Sequence, residues 1–154
     1  MSCVFETTPR SELNRIVDRT IQKEEIHVDP VLNQQEILEL RAVCREVLVA
    51  PHVQDFAIDM VMATQPGTVH SHPLAGKYIR YGSSPRGAQA LVECGRVRAL
   101  LDGRGHLSTD DVQALAPAVL RHRIILNFDA HADGQTPDTL LKEIILTVRA
   151  PAAA

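Results

Sequence analysis

Apolar residues recur along most of the chain at the three- and four-residue spacing of amphipathic helices. Thr8-Pro9 is a helix-start signal, because proline at the first helical position loses no hydrogen bond. Asn33 with Glu36 three residues later predicts a capping box at a second start. The apolar stripes that follow these two signals are Leu13, Ile16, Val17 and Ile21, and then Ile37, Leu40, Cys44 and Val47.

Two longer helices follow. Pro51 opens the first, which ends before Gln65-Pro66-Gly67, and Ser84-Pro85 opens the second, which ends at Gly103. The spacing predicts that their inward positions are Val53, Phe56, Ala57, Met60, Val61, Ala88, Leu91, Val92 and Ala99, with Gly95 allowing close helix approach.

The last third of the chain carries two more helix starts. Ser108 with Asp111 predicts a capping box, and Thr136-Pro137 starts a final helix with an apolar face. Strand signals are weak, since Ile124-Ile125-Leu126 and Cys3-Val4-Phe5 are both short. The sequence therefore predicts an all-α fold, a bundle of about six helices with at most a very short strand element.

Composition narrows the function classes. The chain has 154 residues, of which 45% are hydrophobic and 23% charged, as expected for one globular domain. None of its 8 glycines stands in a GxxxxGK[ST] loop or a GxGxxG turn, so this sequence contains no P-loop or Rossmann nucleotide site. A net charge of −3 argues against a dedicated nucleic-acid or anionic-membrane binder.

Three further features bear on location. The 3 cysteines lack CxxC spacing and are interpreted as free thiols in a reducing compartment. No apolar run approaches the roughly 20 residues that span a bilayer. The N-terminal residues show no secretion signal. These features predict a cytoplasmic protein without a membrane span.

The segment Ser84-Pro85-Arg86 is the leading candidate for chemistry. It places an arginine in the first turn of a helix, where the helix dipole already contributes positive charge. A bound phosphate would relieve that conflict, because free N–H groups and a guanidinium both favour an anion. Arg10 follows Pro9 in the same pattern without a comparable loop, so the pattern alone also fits a solvated arginine.

Other candidate residues have plainer interpretations. His70 and His72 lie two residues apart in a predicted loop, but a zinc site needs three or four ligands and none stands at suitable spacing. Solvated histidines are favoured there, and a small zinc-dependent enzyme stays an alternative. Asp110 and Asp111 fit the first turn of a helix as capping acids rather than as a catalytic pair.

The stretch from Tyr78 to Ala130 resembles the C-terminal lid region of MoxR-family AAA+ ATPases. Its blocks YIRYGSSPRGAQAL and RALLDGRGHLSTDDVQALAPAVLRHRIILNF carry the resemblance. LNRIVDRT, VDPVLNQQEIL and VLVAPHVQDFAIDMVMATQP extend it to about Pro9–Arg149. The resemblance implies a lead-in from the ATPase core over residues 1–8 and a helical lid region over 9–150. Within the lid it implies first helices at 9–66, a loop at 67–83, and the sensor 2 helix with the C-terminal helices at 84–150.

The resemblance also implies a function. Arg86 matches the sensor 2 arginine, which reaches the γ-phosphate of ATP, so Ser84, Pro85 and Arg86 are the expected cofactor-binding residues and Arg86 the catalytic one. ATP and Mg²⁺ would belong to the full-length parent, a chaperone-like ATPase that works as a homo-oligomeric ring on an unknown client protein. Without the core this chain is expected to be inactive.

One alternative function stays open, a stand-alone helical protein-interaction module without nucleotide. A lid separated from its core is also expected to expose apolar surface, here on the first helix and on the helix that starts at Ser84.

Overall fold

The computed structural model describes residues 8–21 and 28–148. Within them the chain forms eight helices and one two-stranded antiparallel sheet. The elements are α1 (Arg10–Ile21), α2 (Gln34–Glu46), α3 (Pro51–Ala63), α4 (Pro73–Tyr78), β1 (Ile79–Tyr81), α5 (Pro85–Leu101), α6 (Thr109–Leu120), β2 (Ile125–Leu126), α7 (Phe128–Ala132) and α8 (Pro137–Thr147). The all-α prediction is confirmed, including the very short strand element.

The long helices begin where local signals predict. At α2 the Glu36 N–H donates to Asn33 Oδ1 at 2.9 Å, and the Asn33 N–H donates to Glu36 Oε2 at 2.7 Å. The same reciprocal box forms at the starts of α6 and α8, where Ser108 and Thr136 are the N-cap residues. Each box satisfies two backbone donors that the helix cannot satisfy itself, which fixes the point at which the helix starts.

Four helices, α3, α5, α6 and α8, supply most of the core. Their inward positions were largely predicted by the helical spacing of apolar residues. Gly95 of α5 is buried, and a Cβ added there would lie 2.4 Å from Leu107 Cδ1, so glycine permits this close approach. The largest fully buried apolar side chains are Phe56, Met60, Leu91, Leu120, Leu140, Leu141, Ile144 and Val112.

Helices α1 and α2 lie outside this core. Both are fully described, and neither contains a buried residue. The α1 stripe exists as predicted but faces solvent, and Ile16 at its centre is 53% exposed. The expected exposed apolar surface of the first helix is therefore confirmed. On α5 such exposure is limited to the last turns, at Val97 and Leu101.

Residues 67–83, which the sequence predicts as a loop, contain the short helix α4 and the strand β1. Pro73 begins α4, and the ring nitrogen Nδ1 of His72 caps it by accepting from the Leu74 N–H at 3.1 Å. Directly after α4, Ile79 pairs with Leu126 and joins β1 to β2. A histidine cap and a strand partner 47 positions away leave little local signal, and for this reason the segment is misassigned.

A second short helix, α7, also raises the count above the six predicted. Its cap is Asn127, whose Oδ1 accepts from the Ala130 N–H at 3.0 Å. The Asn127 backbone N–H donates to the Tyr78 carbonyl at 2.9 Å, so one residue starts α7 and ties it to the end of α4. The predicted Cys3-Val4-Phe5 strand and residues 1–7 of the predicted lead-in lie outside the described residues.

Candidate functional site

Arg86 is the second residue of α5, directly after Pro85. Its side chain is exposed, and among residues 8–21 and 28–148 it has no ion-pair partner. Ser84 is the N-cap, but its hydroxyl makes no capping hydrogen bond. The start of α5 therefore presents a free guanidinium and a free hydroxyl side by side.

The segment before α5 is fixed to the end of α3. Thr64 Oγ1 accepts from the Ser83 N–H at 3.0 Å and donates to the Val61 carbonyl at 2.7 Å. Gln65 Nε2 donates to the Ser83 carbonyl at 2.5 Å. Thr64 and Ser83 are both fully buried, so these bonds are made away from water. These hydrogen bonds fix the position of Ser83, two residues before Pro85.

The two glycines that flank this segment serve close packing. A Cβ on Gly82 would lie 2.4 Å from the Thr64 carbonyl oxygen and 2.8 Å from the Gln65 Cα, both backbone atoms. A Cβ on Gly87 would lie 2.1 Å from Ser83 Oγ. Neither glycine has positive φ. Because Gly82 has no side chain, the backbone before α5 can pack directly against the end of α3. This close packing determines the position of Arg86.

The electrostatics of this helix start favour an anion. The first turn of α5 contains no acidic residue, whereas α6 and α8 begin with aspartates that offset the positive helix end. Arg86 adds a full positive charge to that end. Unneutralised N–H groups and a guanidinium together suit a phosphate oxygen. Anion binding by Ser84, Pro85 and Arg86 stays a prediction.

The two loop histidines do not come together with other ligands. His70 is exposed, while His72 caps α4 through Nδ1 and partial burial lowers its pKa, with Glu143 opposing that shift. Among the described residues no group of three or more His, Cys, Asp and Glu side chains could hold a metal ion. The zinc alternative therefore finds no ligand set in this part of the chain. No described helix is long and apolar enough to cross a membrane.

Sequence reasoning missed the residues that position the site. Thr64 and Gln65 follow α3 where a helix end was predicted, and their bonds to Ser83 span 19 and 18 residues respectively. The sequence signal was only a threonine and a glutamine at that helix end. Asp111 was identified as a capping acid, but its pairing with Arg104 across the α5–α6 connection was also missed.

Comparison with known proteins places this arrangement in a family. Residues 73–144 match the AAA lid domain family, a span that runs from α4 into α8 and includes Arg86. Chaperone MoxR1 of Mycobacterium tuberculosis is 28% identical over 121 residues, which cover 79% of this chain. Protein MoxR of Methylorubrum extorquens is 38% identical over 77 residues, which cover 49% of it. Residues 73–144 are thus similar to an AAA lid domain, and the comparisons together support a C-terminal lid region of a MoxR-family AAA+ ATPase.

The similarity to a solved structure extends beyond residues 73–144. The crystal structure of a proposed ATPase from Cytophaga hutchinsonii superposes with a TM-score of 0.73 at 25% identity and covers 95% of this chain. The lid spans only part of such proteins, namely 44% of the Cytophaga chain, 32% of the Mycobacterium protein and 22% of the Methylorubrum protein.

Proposed function

We propose that this lid packs on a nucleotide-binding core and that Arg86 is its sensor 2 arginine. The observation that carries the proposal is the exposed guanidinium in the first turn of α5, which has no ion-pair partner within residues 8–21 and 28–148 and lies on a segment fixed by Thr64 and Gln65. In this role Arg86 contacts the γ-phosphate of ATP and stabilises the negative charge that develops as the phosphoryl group transfers.

Ser84 and Pro85 have supporting roles in the proposal. Pro85 fixes the backbone angle of the first helical residue, and the Ser84 hydroxyl is available to donate to a phosphate oxygen. The core supplies the residues that bind ATP and Mg²⁺, since this sequence contains no P-loop. The chain without that core is expected to show negligible ATP turnover.

The whole protein is proposed to be a cytoplasmic, chaperone-like ATPase. Its partners would be the ATPase core of the same or a neighbouring subunit, further copies in a ring, and a client protein that it helps to mature. The name of the Mycobacterium relative, a chaperone, supports this role. The apolar faces of α1 and α2 offer surface for such contacts, because the lid itself leaves them exposed.

The test compares two arginines in the same local pattern. Arg86→Ala in the lid joined to its core is expected to lower kcat by about 10²-fold or more, as for loss of a transition-state donor. Arg10→Ala is the matched control, because Arg10 also follows a proline at a helix start and lies on α1, which contains no buried residue. Unchanged turnover for Arg86→Ala, or equal losses for both variants, would overturn the sensor 2 assignment.

The exposed faces of α1 and α2 also favour a second candidate, a helical interaction module that works without nucleotide. The two candidates differ in what precedes Met1 in the genome. A P-loop reading frame continuous with this one supports the lid, whereas a stop codon directly upstream supports the module.

A further inference from the structure

A cavity of about 340 Å³ lies between α2 and α5, away from the start of α5. Its wall is formed by Arg41, Cys44, Arg45, Glu93, Arg96 and Val97. Three guanidinium groups thus face one carboxylate, in a chain whose net charge is −3. None of the three arginines lies within ion-pair distance of a carboxylate among the described residues. The cavity wall therefore concentrates positive charge that Glu93 offsets only in part.

Arg96 distinguishes this cavity from a patch of surface arginines. Its Nε atom is buried and has no hydrogen-bond acceptor in the described part of the chain. Buried donors are nearly always paired, so the unpaired Nε leaves Arg96, a residue of the cavity wall, with donor capacity that the described chain does not use. A guanidinium offers its donors in a flat fork that matches two oxygens of the same oxyanion.

We propose that the cavity between α2 and α5 binds a small phosphate-bearing anion. Arg96 would hold it from α5, and Arg41 and Arg45 would hold it from α2. Three arginines against Glu93 leave a net charge of two on the wall, which matches a phosphate dianion better than a single carboxylate. The volume is also that of a small-ligand pocket rather than of a surface for a polypeptide.

The site is separate from the proposed sensor 2 position. Arg96 lies ten residues beyond Arg86 on the same helix, which corresponds to about 15 Å along its axis. Arg86 is not among the residues that line the cavity. Failure of the sensor 2 proposal would leave this inference unaffected, and the reverse also holds.

An anion in this cavity would fasten α2 to α5. No residue of α2 is buried in the described structure, so little apolar packing holds this helix in place. Hydrogen bonds from Arg41 and Arg45 to the same anion as Arg96 would join the two helices through charge. Phosphate is therefore expected to slow backbone hydrogen exchange in α2 and to leave exchange in α8 unchanged.

The primary experiment is calorimetric titration of the full chain with inorganic phosphate at constant ionic strength. Arg96→Gln is expected to weaken binding by about tenfold or more, the loss expected for a hydrogen-bonded charge. Glu93→Gln is expected to tighten phosphate binding, since the substitution removes the opposing carboxylate. Arg80→Gln, an exposed arginine outside the cavity, is the control and should match the wild type.

Three outcomes would overturn the proposal. They are equal affinity in Arg96→Gln and the wild type, loss of binding in Arg86→Gln, and acetate binding as tight as phosphate binding. The second outcome would move the phosphate to the start of α5, and the third would assign the cavity to carboxylates.

A footprint locates the bound anion directly. Cys44 lines the cavity, whereas Cys94 packs against the core, and both are half-buried free thiols. Phosphate is expected to slow alkylation of Cys44 by iodoacetamide and to leave Cys94 unchanged, as measured by peptide mass spectrometry. Equal rates for Cys44 with and without phosphate would contradict the location.

Discussion

Arg104 holds Asp111 through two parallel hydrogen bonds, Nη1 to Oδ2 at 2.8 Å and Nη2 to Oδ1 at 2.7 Å. Asp111 is 2% exposed and also accepts from the backbone N–H of Ser108 at 3.0 Å. Arg98 Nε lies 3.2 Å from Asp111 Oδ1. The Asp111 carboxylate thus caps α6, fixes the α5–α6 connection through Arg104 and pairs with Arg98 near the end of α5. Such charge-assisted, bidentate contacts are the strong class of hydrogen bond.

Asp111→Asn is expected to lower the free energy of unfolding by about 2 kcal/mol. An amide cannot accept both guanidinium bonds, and Arg104 would keep only its exposed partner Asp102 in place of a carboxylate that is 2% exposed. Asp102→Asn is the control, since Asp102 also bonds Arg104 but is 53% exposed, and exposed pairs are worth less than about 1 kcal/mol. Urea unfolding measures the free energy of unfolding of both variants. Equal losses of stability in Asp111→Asn and Asp102→Asn would contradict the central role of Asp111.

Stability is expected to fall with acid through the same carboxylate. The hydrogen bonds from Arg104, with help from Ser108, lower the pKa of Asp111 from 3.8 to about 2. Because the folded pKa lies below the unfolded one, the stabilisation is complete above pH 4 and is lost as the pH falls from about 4 to about 2. The loss should approach about 2 kcal/mol in urea titrations of the wild type. Asp111→Asn should lack this component, and parallel pH curves for the two proteins would contradict the assignment.

Gly82→Ala is expected to cost about 1–3 kcal/mol of stability, as for other overpacked sites. The added Cβ would meet backbone atoms of Thr64 and Gln65, which cannot rotate aside as a side chain can. Gly76→Ala is the control, because no atom lies within 4 Å of a Cβ there and α4 tolerates alanine. Thermal unfolding checks both variants, and a Gly82→Ala protein as stable as Gly76→Ala would show that this close approach is not required.

Ile16→Glu is expected to reduce self-association of the chain. Ile16 lies at the centre of the exposed α1 stripe with Leu13 and Val17, and such a continuous apolar face promotes association. Val69→Glu is the control, because Val69 is 97% exposed but lies in the α3–α4 connection. Light scattering over a concentration series measures the mass, and a strict monomer in the wild type at high concentration would contradict the prediction.

Sequence alone predicted the features that depend on neighbouring residues. The capping boxes at Asn33 and Ser108 need only groups three positions apart, so they can be identified before any tertiary contact is known. The buried faces of α3 and α8 follow from helical spacing in the same way. The position of Arg86 in a first turn was predicted for the same local reason.

Features that depend on distant residues were not predicted. The stripe of α2 looks like a core-facing stripe, and only the arrangement of the other helices shows that it faces solvent. The α4 and α7 helices are six and five residues long, too short for a clear periodic signal. The Thr64–Ser83 bond joins residues 19 positions apart, so nothing near Ser84 indicates that its segment is anchored.

That anchoring makes Arg86 part of a rigid body. Its backbone follows Ser83, which is held by the end of α3, and α5 packs in turn against α6. A backbone displacement of Arg86 toward or away from any ligand must therefore rotate the α3–α5–α6 unit as a whole. Since α8 packs on α6, a spectroscopic label on the outer face of α8 would report the movement of Arg86 without altering the site itself.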